Sequence, residues 1–331
     1  MHVSTRAKAS PEVRAARLSL GVAVGLLAVK LFAWMLTGSA AILSDALESI
    51  INVAAAGFAV FSVSVAETPP DKRHPYGHGN IEYYSAWLEG MLILLASVAI
   101  FWESWGKIIH PRPMPHLGGG VLLLLGASAV NLWLGLLLLR RGKASGSLTL
   151  MADGQHVLTD VYTSVGVIVG LTLVWATDWL WLDGAVACLV GANIAWTGVG
   201  LVRRSVAGFM NESDPELLAG ICDLLREKRQ PAWIDIHRLR AIKLGRAVHV
   251  DLHLILPRDM TLQAAHDQVD AMEALLRAHL GPEADIMIHA DPCKDERCPD
   301  CHADPCDLRR SPTLATPLWL PETTGDPSRD D

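Results

Sequence analysis

The sequence predicts a membrane protein: an all-α domain of six transmembrane helices followed by a compact α+β domain. Three observations point there. Six long apolar segments follow one another over the first two-thirds of the chain. The composition turns to that of a soluble domain after Arg204. With 51% hydrophobic and 19% charged residues among 331, and a mean hydropathy of +0.29, the chain is too apolar for an ordinary soluble protein.

The apolar segments lie at about Leu18–Leu36, Ser39–Val65, Tyr83–Ile109, Val121–Leu139, Leu148–Thr177 and Leu182–Val202. Each approaches or exceeds the ~20 residues that cross ~30 Å of hydrocarbon. An even number of spans leaves both termini on one side. Arg6, Lys8, Arg14 and Arg17 precede the first span, Lys72 and Arg73 follow the second, and Arg140, Arg141 and Lys143 follow the fourth. Arg203 and Arg204 follow the sixth, whereas the opposite loops hold only Lys107 and Arg112. The positive-inside rule makes both termini cytoplasmic in a cell (inner) membrane. The first 17 residues are polar and basic, without a compact cleavable signal. The expected division is 1–17 cytoplasmic segment, 18–208 membrane domain, 209–292 α+β domain and 293–331 tail. A net charge of −7 offers no electrostatic case for nucleic acid.

Two spans carry the same costly pattern. Asp45, Glu48 and Asn52 stand at i, i+3 and i+7, as do Asp153, His156 and Asp160. That spacing is one stripe of a helix. A carboxylate in a span costs roughly 2.5 kcal/mol or more, so such residues usually line a pathway. Matched stripes suggest one cation site between two helices. Glu48, Asn52, His156 and Asp160 can surround a divalent ion tetrahedrally: Zn²⁺ accepts N and O ligands, and imidazole also suits Fe²⁺, Co²⁺ and Ni²⁺. Asp45 and Asp153, one turn earlier, suit outer or entry positions. The plainer alternative is polar groups that only hydrogen-bond helices together. Lys30 in the first span reads as snorkelling or a structural pair. Glu89 in the third reads as a packing group or a proton-relay member.

The loop Asp71-Lys-Arg-His74-Pro-Tyr-Gly77-His78 is either a polar turn or, through Asp71, His74 and His78, a cation site. In the soluble part, Asp214-Pro215 opens a helix to Lys228, and a strand follows at Ile234–Ile242. Ala247–Leu256 alternates, with Val248, Val250, Leu252 and Leu254 on one face and His249, Asp251 and His253 on the other. A helix capped by Thr261 and a short strand at Ala284–His289 complete an α-β-β-α-β order, with helices packed on one sheet face. His237, His249, His253, His266, His289 and Asp291 crowd this domain and favour a metal cluster over lone structural histidines. Cys293, Cys298, Cys301 and Cys306 fall within fourteen residues, a clustering typical of metal or redox chemistry. The tail beyond Cys306 is Pro-, Thr- and Asp-rich and is expected to be disordered.

The order and spacing of four segments resemble the cation diffusion facilitator family of zinc-type transporters. They are Gly38-Ser39…Asp45-Ala-Leu, His74-Pro-Tyr-Gly77-His78-Gly79, Ala152-Asp153…His156…Asp160 and Ile288-His289-Ala-Asp291-Pro-Cys293, spread over about residues 15–292. The resemblance implies a ferredoxin-like, metallochaperone-like cytoplasmic domain and a homodimer. It also implies export of a divalent metal, Zn²⁺ foremost, against protons. It places the transport site on Glu48, Asn52, His156 and Asp160, and the loop site on Asp71 and His78 with His74 nearby. The soluble-domain sites fall on His237, His253, His266, His289 and Asp291. The family's second-helix pair is usually His or Asp followed by Asp; a register through Asp45 and Ser49 is the alternative. The competing function is a membrane metal sensor or metalloenzyme without net transport. No His-Glu-x-x-His pattern supports an enzyme.

Overall fold

The computed structural model describes residues 10–37, 40–109, 120–177, 179, 181–245, 247–302 and 306–325. The side chains of some helical residues, Asp45 and Glu48 among them, lie outside that description. The chain divides into two units, residues 1–210 and 211–331.

The first unit is six long helices: α1 (Pro11–Thr37), α2 (Ala40–Ala66), α3 (Ile81–Ile109), α4 (Gly120–Ser145), α5 (Leu148–Thr177) and α6 (Trp181–Phe209). The shortest has 26 residues, about 39 Å at 1.5 Å per residue. Within the described residues, segments of α1, α2, α3 and α6 are long and apolar enough to cross a membrane. The burial pattern differs from that of a soluble protein in how many large apolar residues face outward and how many small ones are buried. Trp102, Leu189 and Trp196 are exposed, while Ala16, Ala59, Ser62, Ser85 and Ala152 are fully buried. Small residues inside and large apolar ones outside let helix backbones approach closely in lipid.

α3 runs along α6, α4 along α5, and α1 along α2. Two glycines permit close approaches beside the polar residues. A Cβ at Gly154 would lie 3.0 Å from the Leu139 nitrogen, and one at Gly90 would lie 2.8 Å from Val202. Gly154 directly follows Asp153 and Gly90 directly follows Glu89, so close packing is built in beside the polar groups.

The start of α5 is pinned by a residue from α3. Buried Glu82 accepts the Ser147 hydroxyl at 2.6 Å and the Thr149 N–H at 3.1 Å. A carboxylate at a helix N-terminus satisfies N–H groups that have no intrahelical partner. This contact fixes where α5 begins, and hence the positions of His156 and Asp160. Nothing in the sequence marks Glu82 for this task, since its partners are 65 and 67 residues away.

The second unit contains α7 (Pro215–Glu227), β1 (Asp235–Leu244), β2 (Ala247–Leu256), α8 (Leu262–Leu280) and β3 (Asp285–Pro292). β1 and β2 are antiparallel, and β2 and β3 are parallel, in the order β1-β2-β3. The parallel pair requires the crossover that α8 supplies. Val250, Leu252 and Leu254 are buried against Ile221 and Leu225 of α7 and Met272 and Leu276 of α8, as the alternation in β2 implies. The order of elements and the small helix-covered sheet fit the ferredoxin-like class.

The segment after β3 departs from the expected disordered tail. A 3₁₀ turn (Asp295–Asp300) is followed by a strap that ends in the short helix α9 (Pro321–Thr324). Trp319 is completely buried in the core, and its indole N–H donates to Asp235 at 2.9 Å. The Arg229 guanidinium stacks 4.1 Å from the same ring and donates to the Pro317 carbonyl at 3.0 Å. Composition pointed to disorder because most of the strap is polar or proline. One large aromatic side chain with a partnered N–H outweighs that average.

Candidate metal centre

The matched stripes of α2 and α5 meet. Asn52 of α2 donates its amide N–H to Asp160 of α5 at 2.8 Å. The Asn52 carbonyl accepts from His156 Nε2 at 3.0 Å. The Asp160 carboxylate fixes the amide orientation, because a carbonyl facing it would be repelled. His156 therefore carries its proton on Nε2 in this arrangement. Its Nδ1 lies 3.5 Å from Glu89 Oε2. That approach is attractive only when a proton sits on one of the two groups. Glu89 is 1% exposed, and neither of its oxygens has a hydrogen-bond donor among the described residues.

Asn52, His156 and Asp160 border a cavity of about 30 Å³, room for an ion or one or two waters. Asp153 lines it, 2% exposed and bonded to Ser19 of α1. Lys30 lines it too, donating to Ser49 at 2.8 Å. Lys30 is thus a structural pair and not a snorkelling residue. Ser49 engages Lys30, while Asn52 engages His156 and Asp160. Asp45 and Glu48 have their backbones in α2, and their side chains lie outside the described residues.

In the loop between α2 and α3, Asp71, His74 and His78 bring one ligand atom each within 4.8 Å of one another. Asp71 Oδ1 lies 3.2 Å from His74 Nδ1, and Asp71 Oδ2 lies 3.6 Å from His78 Nε2. The backbone N–H groups of His74 and then Arg73 bond the Asp71 carboxylate and hold its pKa below the ordinary value. His78 Nδ1 donates to the Thr68 carbonyl at 3.3 Å, which leaves the Nε2 lone pair, 3.6 Å from Asp71 Oδ2, available to a cation.

In the second unit, strand register assembles the histidines. His237 of β1, His253 of β2 and His289 of β3 are direct cross-strand neighbours. Their ring centroids are 5.0 and 4.7 Å apart. Asp291 reaches all three: 2.7 Å to His253, 3.2 Å to His289 and 3.7 Å to His237. His237, His253 and Asp291 form the second group whose ligand atoms converge within 4.8 Å. The structure does not bring His249 or His266 into this cluster. His249 sits four residues, about 13 Å, along β2 from His253 and pairs with its cross-strand neighbour Asp285 at 3.0 Å. His266 is exposed on α8, 3.7 Å from Asp270.

Cys293, Cys298, Cys301 and Cys306 line one cavity in the second unit, all as free thiols. His302 lies apart from them, its Nδ1 accepting from Arg229 at 3.2 Å. Burial, then the neighbouring guanidinium, lowers the His302 pKa and keeps the ring neutral as an acceptor.

A bundle of apolar-surfaced helices with a polar, ligand-bearing cavity inside is the architecture of an integral membrane transporter. Comparison with known proteins agrees. Residues 16–210 match the cation efflux transmembrane domain, and residues 214–293 match the cytoplasmic domain of cation efflux proteins. An uncharacterized transporter of Synechocystis sp. is 36% identical over 85% of this chain and 90% of its own length. The cation-efflux pump FieF of Shewanella oneidensis is 28% identical over 85% and 94%, and that of Klebsiella pneumoniae 28% over 84% and 92%. The chain belongs to the cation efflux, or cation diffusion facilitator, family.

Proposed function

We propose that this protein exports divalent metal cations of the zinc class (Zn²⁺ foremost, with Fe²⁺, Co²⁺, Ni²⁺ and Cd²⁺ as competitors) from the cytoplasm in exchange for protons. It acts as a homodimer in the cell (inner) membrane with both termini cytoplasmic. The observation that carries the reading is the contact of Asn52, His156 and Asp160 between α2 and α5, around a cavity inside a membrane bundle. Two nitrogen- or oxygen-bearing positions on each of two facing helices suit a tetrahedral borderline ion. Glu48, four residues before Asn52 on α2, is proposed as the fourth ligand, and Asp153 as an outer or entry group.

The proton side follows from the same contacts. A metal ion can take His156 Nε2 only after that atom gives up the proton it donates to Asn52. Without metal the His156–Glu89 pair holds two protons, one on Nε2 and one between Nδ1 and Glu89; metal at Nε2 releases the first, and the second stays on Nδ1 facing the carboxylate. Metal and proton then exclude each other from one site. Rocking of the helices would expose that site to each side in turn, so that inward proton flow drives metal out. The His237–His253–His289–Asp291 cluster and the Asp71–His74–His78 loop are proposed as regulatory and entry sites whose loading neutralises clustered ligands. The two converging clusters accompany a cavity between membrane helices, which a sensor without transport does not need.

The test is flux. Asp160→Ala in proteoliposomes with an imposed pH gradient is expected to abolish zinc movement while the protein still elutes as the wild type does. Wild-type-like flux in that variant would remove Asp160 from the site. Saturable zinc binding by the wild type without any flux would favour the sensor reading.

A further inference from the structure

The residues matched to the family end at 293, and the cysteine-rich segment lies almost wholly beyond them. The structure gathers that segment at the end of β3. Cys293, Cys298, Cys301 and Cys306 all line a cavity of about 20 Å³, space for a single ion. Cys301 is buried and packs with Cys293, Ile234 and Ile255. The 3₁₀ turn brings the Cys301 N–H to within 3.2 Å of the Cys298 carbonyl, which closes the tight Cys-x-x-Cys knuckle common to structural zinc sites.

Backbone N–H groups also face the sulfurs. That of Arg310 donates to Cys298 Sγ at 3.5 Å, and that of Arg258 bonds Cys293. Arg258, Lys294, Arg297 and Arg309 line the cavity against one acid, Asp295. A divalent ion bound by four thiolates carries a net charge of −2, and a basic wall offsets it. The chain that returns from Cys306 is tied to the same knuckle. Thr313 Oγ1 donates to the Cys301 carbonyl at 2.7 Å, and the Leu314 N–H donates to the Pro299 carbonyl at 2.7 Å.

We propose that Cys293, Cys298, Cys301 and Cys306 form a tetrathiolate site for a zinc-class ion, which fastens the strap that carries Trp319 onto the α+β unit. Binding is metal-for-proton exchange without oxidation: four thiols release four protons as four sulfur–metal bonds form. Among the described residues, the groups of three ligand atoms within 4.8 Å of one another are the two histidine–carboxylate clusters. Metal binding therefore draws the sulfurs inward, and the knuckle that anchors the strap with them. The site contains no residue of the transport cavity, so it stands whether or not the transport mechanism does.

Cobalt reports this site separately from every histidine–carboxylate site, because only thiolates produce intense near-ultraviolet sulfur-to-cobalt absorption. Full-length protein, purified reduced and anaerobically in detergent, is titrated with Co²⁺. The expected result is that absorption, saturating at one cobalt per chain, lost in Cys298→Ser/Cys301→Ser and diminished in Cys306→Ser. Zinc is expected to slow tryptic cleavage after Arg309, by roughly 100-fold at a free zinc level about 100 times Kd. Neither serine variant should show that protection. Absence of the band in reduced wild-type protein, or its persistence in the double variant, would overturn the proposal. So would a Cys298–Cys301 disulfide trapped by acid quenching and alkylation in cells, which would make the knuckle a redox pair.

Discussion

The α2–α5 centre and the sheet cluster use the same ligand chemistry on opposite supports. In the membrane unit, Asn52, His156 and Asp160 come from two helices, and each helix supplies its ligands by its own 3.6-residue period. In the soluble unit, His237, His253 and His289 come from three strands, one residue from each, and only register aligns them. In the first set His156 is buried and Asn52 and Asp160 half-buried, and the groups bond one another. The second surrounds one carboxylate, Asp291, that meets three rings at once, and His289 is largely open to solvent. A site whose groups already hydrogen-bond one another must exchange protons to take an ion. An open one can equilibrate with the surrounding solution. That difference suits cargo in the first case and regulation in the second.

The sharpest way to break the comparison is to remove one imidazole from each centre. His156→Ala is expected to reduce zinc flux beyond the roughly 10–100-fold typical of losing an outer metal partner. His253→Ala should leave maximal flux within a few-fold and raise the zinc concentration that gives half-maximal rate. Vesicle flux against free zinc measures both, and equal losses would erase the distinction between the centres. Glu89→Gln probes the proton side of the α2–α5 site alone. It keeps the shape of Glu89 but removes its titration, so zinc binding should persist while flux loses its response to a pH gradient. A variant that retains the wild-type response would take Glu89 out of the relay.

Two smaller effects concern the scaffold of the sheet cluster. Trp319→Ala is expected to destabilise the second unit by about 3–5 kcal/mol, the usual cost of emptying a large aromatic site. Thermal unfolding of the full-length protein would show it, and no change would mean that the strap is not part of the fold. Asp214 caps α7, accepting from the Glu216 and Leu217 N–H groups, and pairs with Lys243 at 2.6 Å. Partial burial raises its pKa, but the Lys243 contact and the helix N–H groups outweigh that and hold it below the ordinary 3.8. A depressed carboxyl stabilises the fold above its unfolded pKa and loses that contribution as pH falls through the folded value. Asp214→Ala should therefore cost about 1 kcal/mol near neutrality. The gap from wild type should shrink below about pH 4; a gap that stays constant from pH 7 to pH 3 would contradict the assignment.

Much of the α2–α5 contact was legible because helical periodicity is local. Asp153, His156 and Asp160 announce a shared face from their spacing alone, and so does Asn52 relative to Glu48. The partners that complete the site were not legible in the same way. Glu89 was visible as an acid in a span, yet its proximity to His156 depends on how α3 and α5 pack. Glu82 passed unnoticed because its role lies in another helix. In the soluble unit the six candidate ligands looked alike in sequence. Register then selected His237, His253, His289 and Asp291 and sent His249 to Asp285. The strap misled for a related reason: average composition predicts disorder, whereas one aromatic anchor decides order.

By itself the chain determined the six apolar rods, the two polar stripes, the alternation of β2 and the dense cysteine run, because each depends on residues within a few positions of one another. Tertiary structure alone decided which face met which: α2 against α5, three histidines in one row, Trp319 beside Asp235, and four thiols around one space. Those pairings join residues far apart in sequence, and their energy exists only once the backbone has brought them into contact.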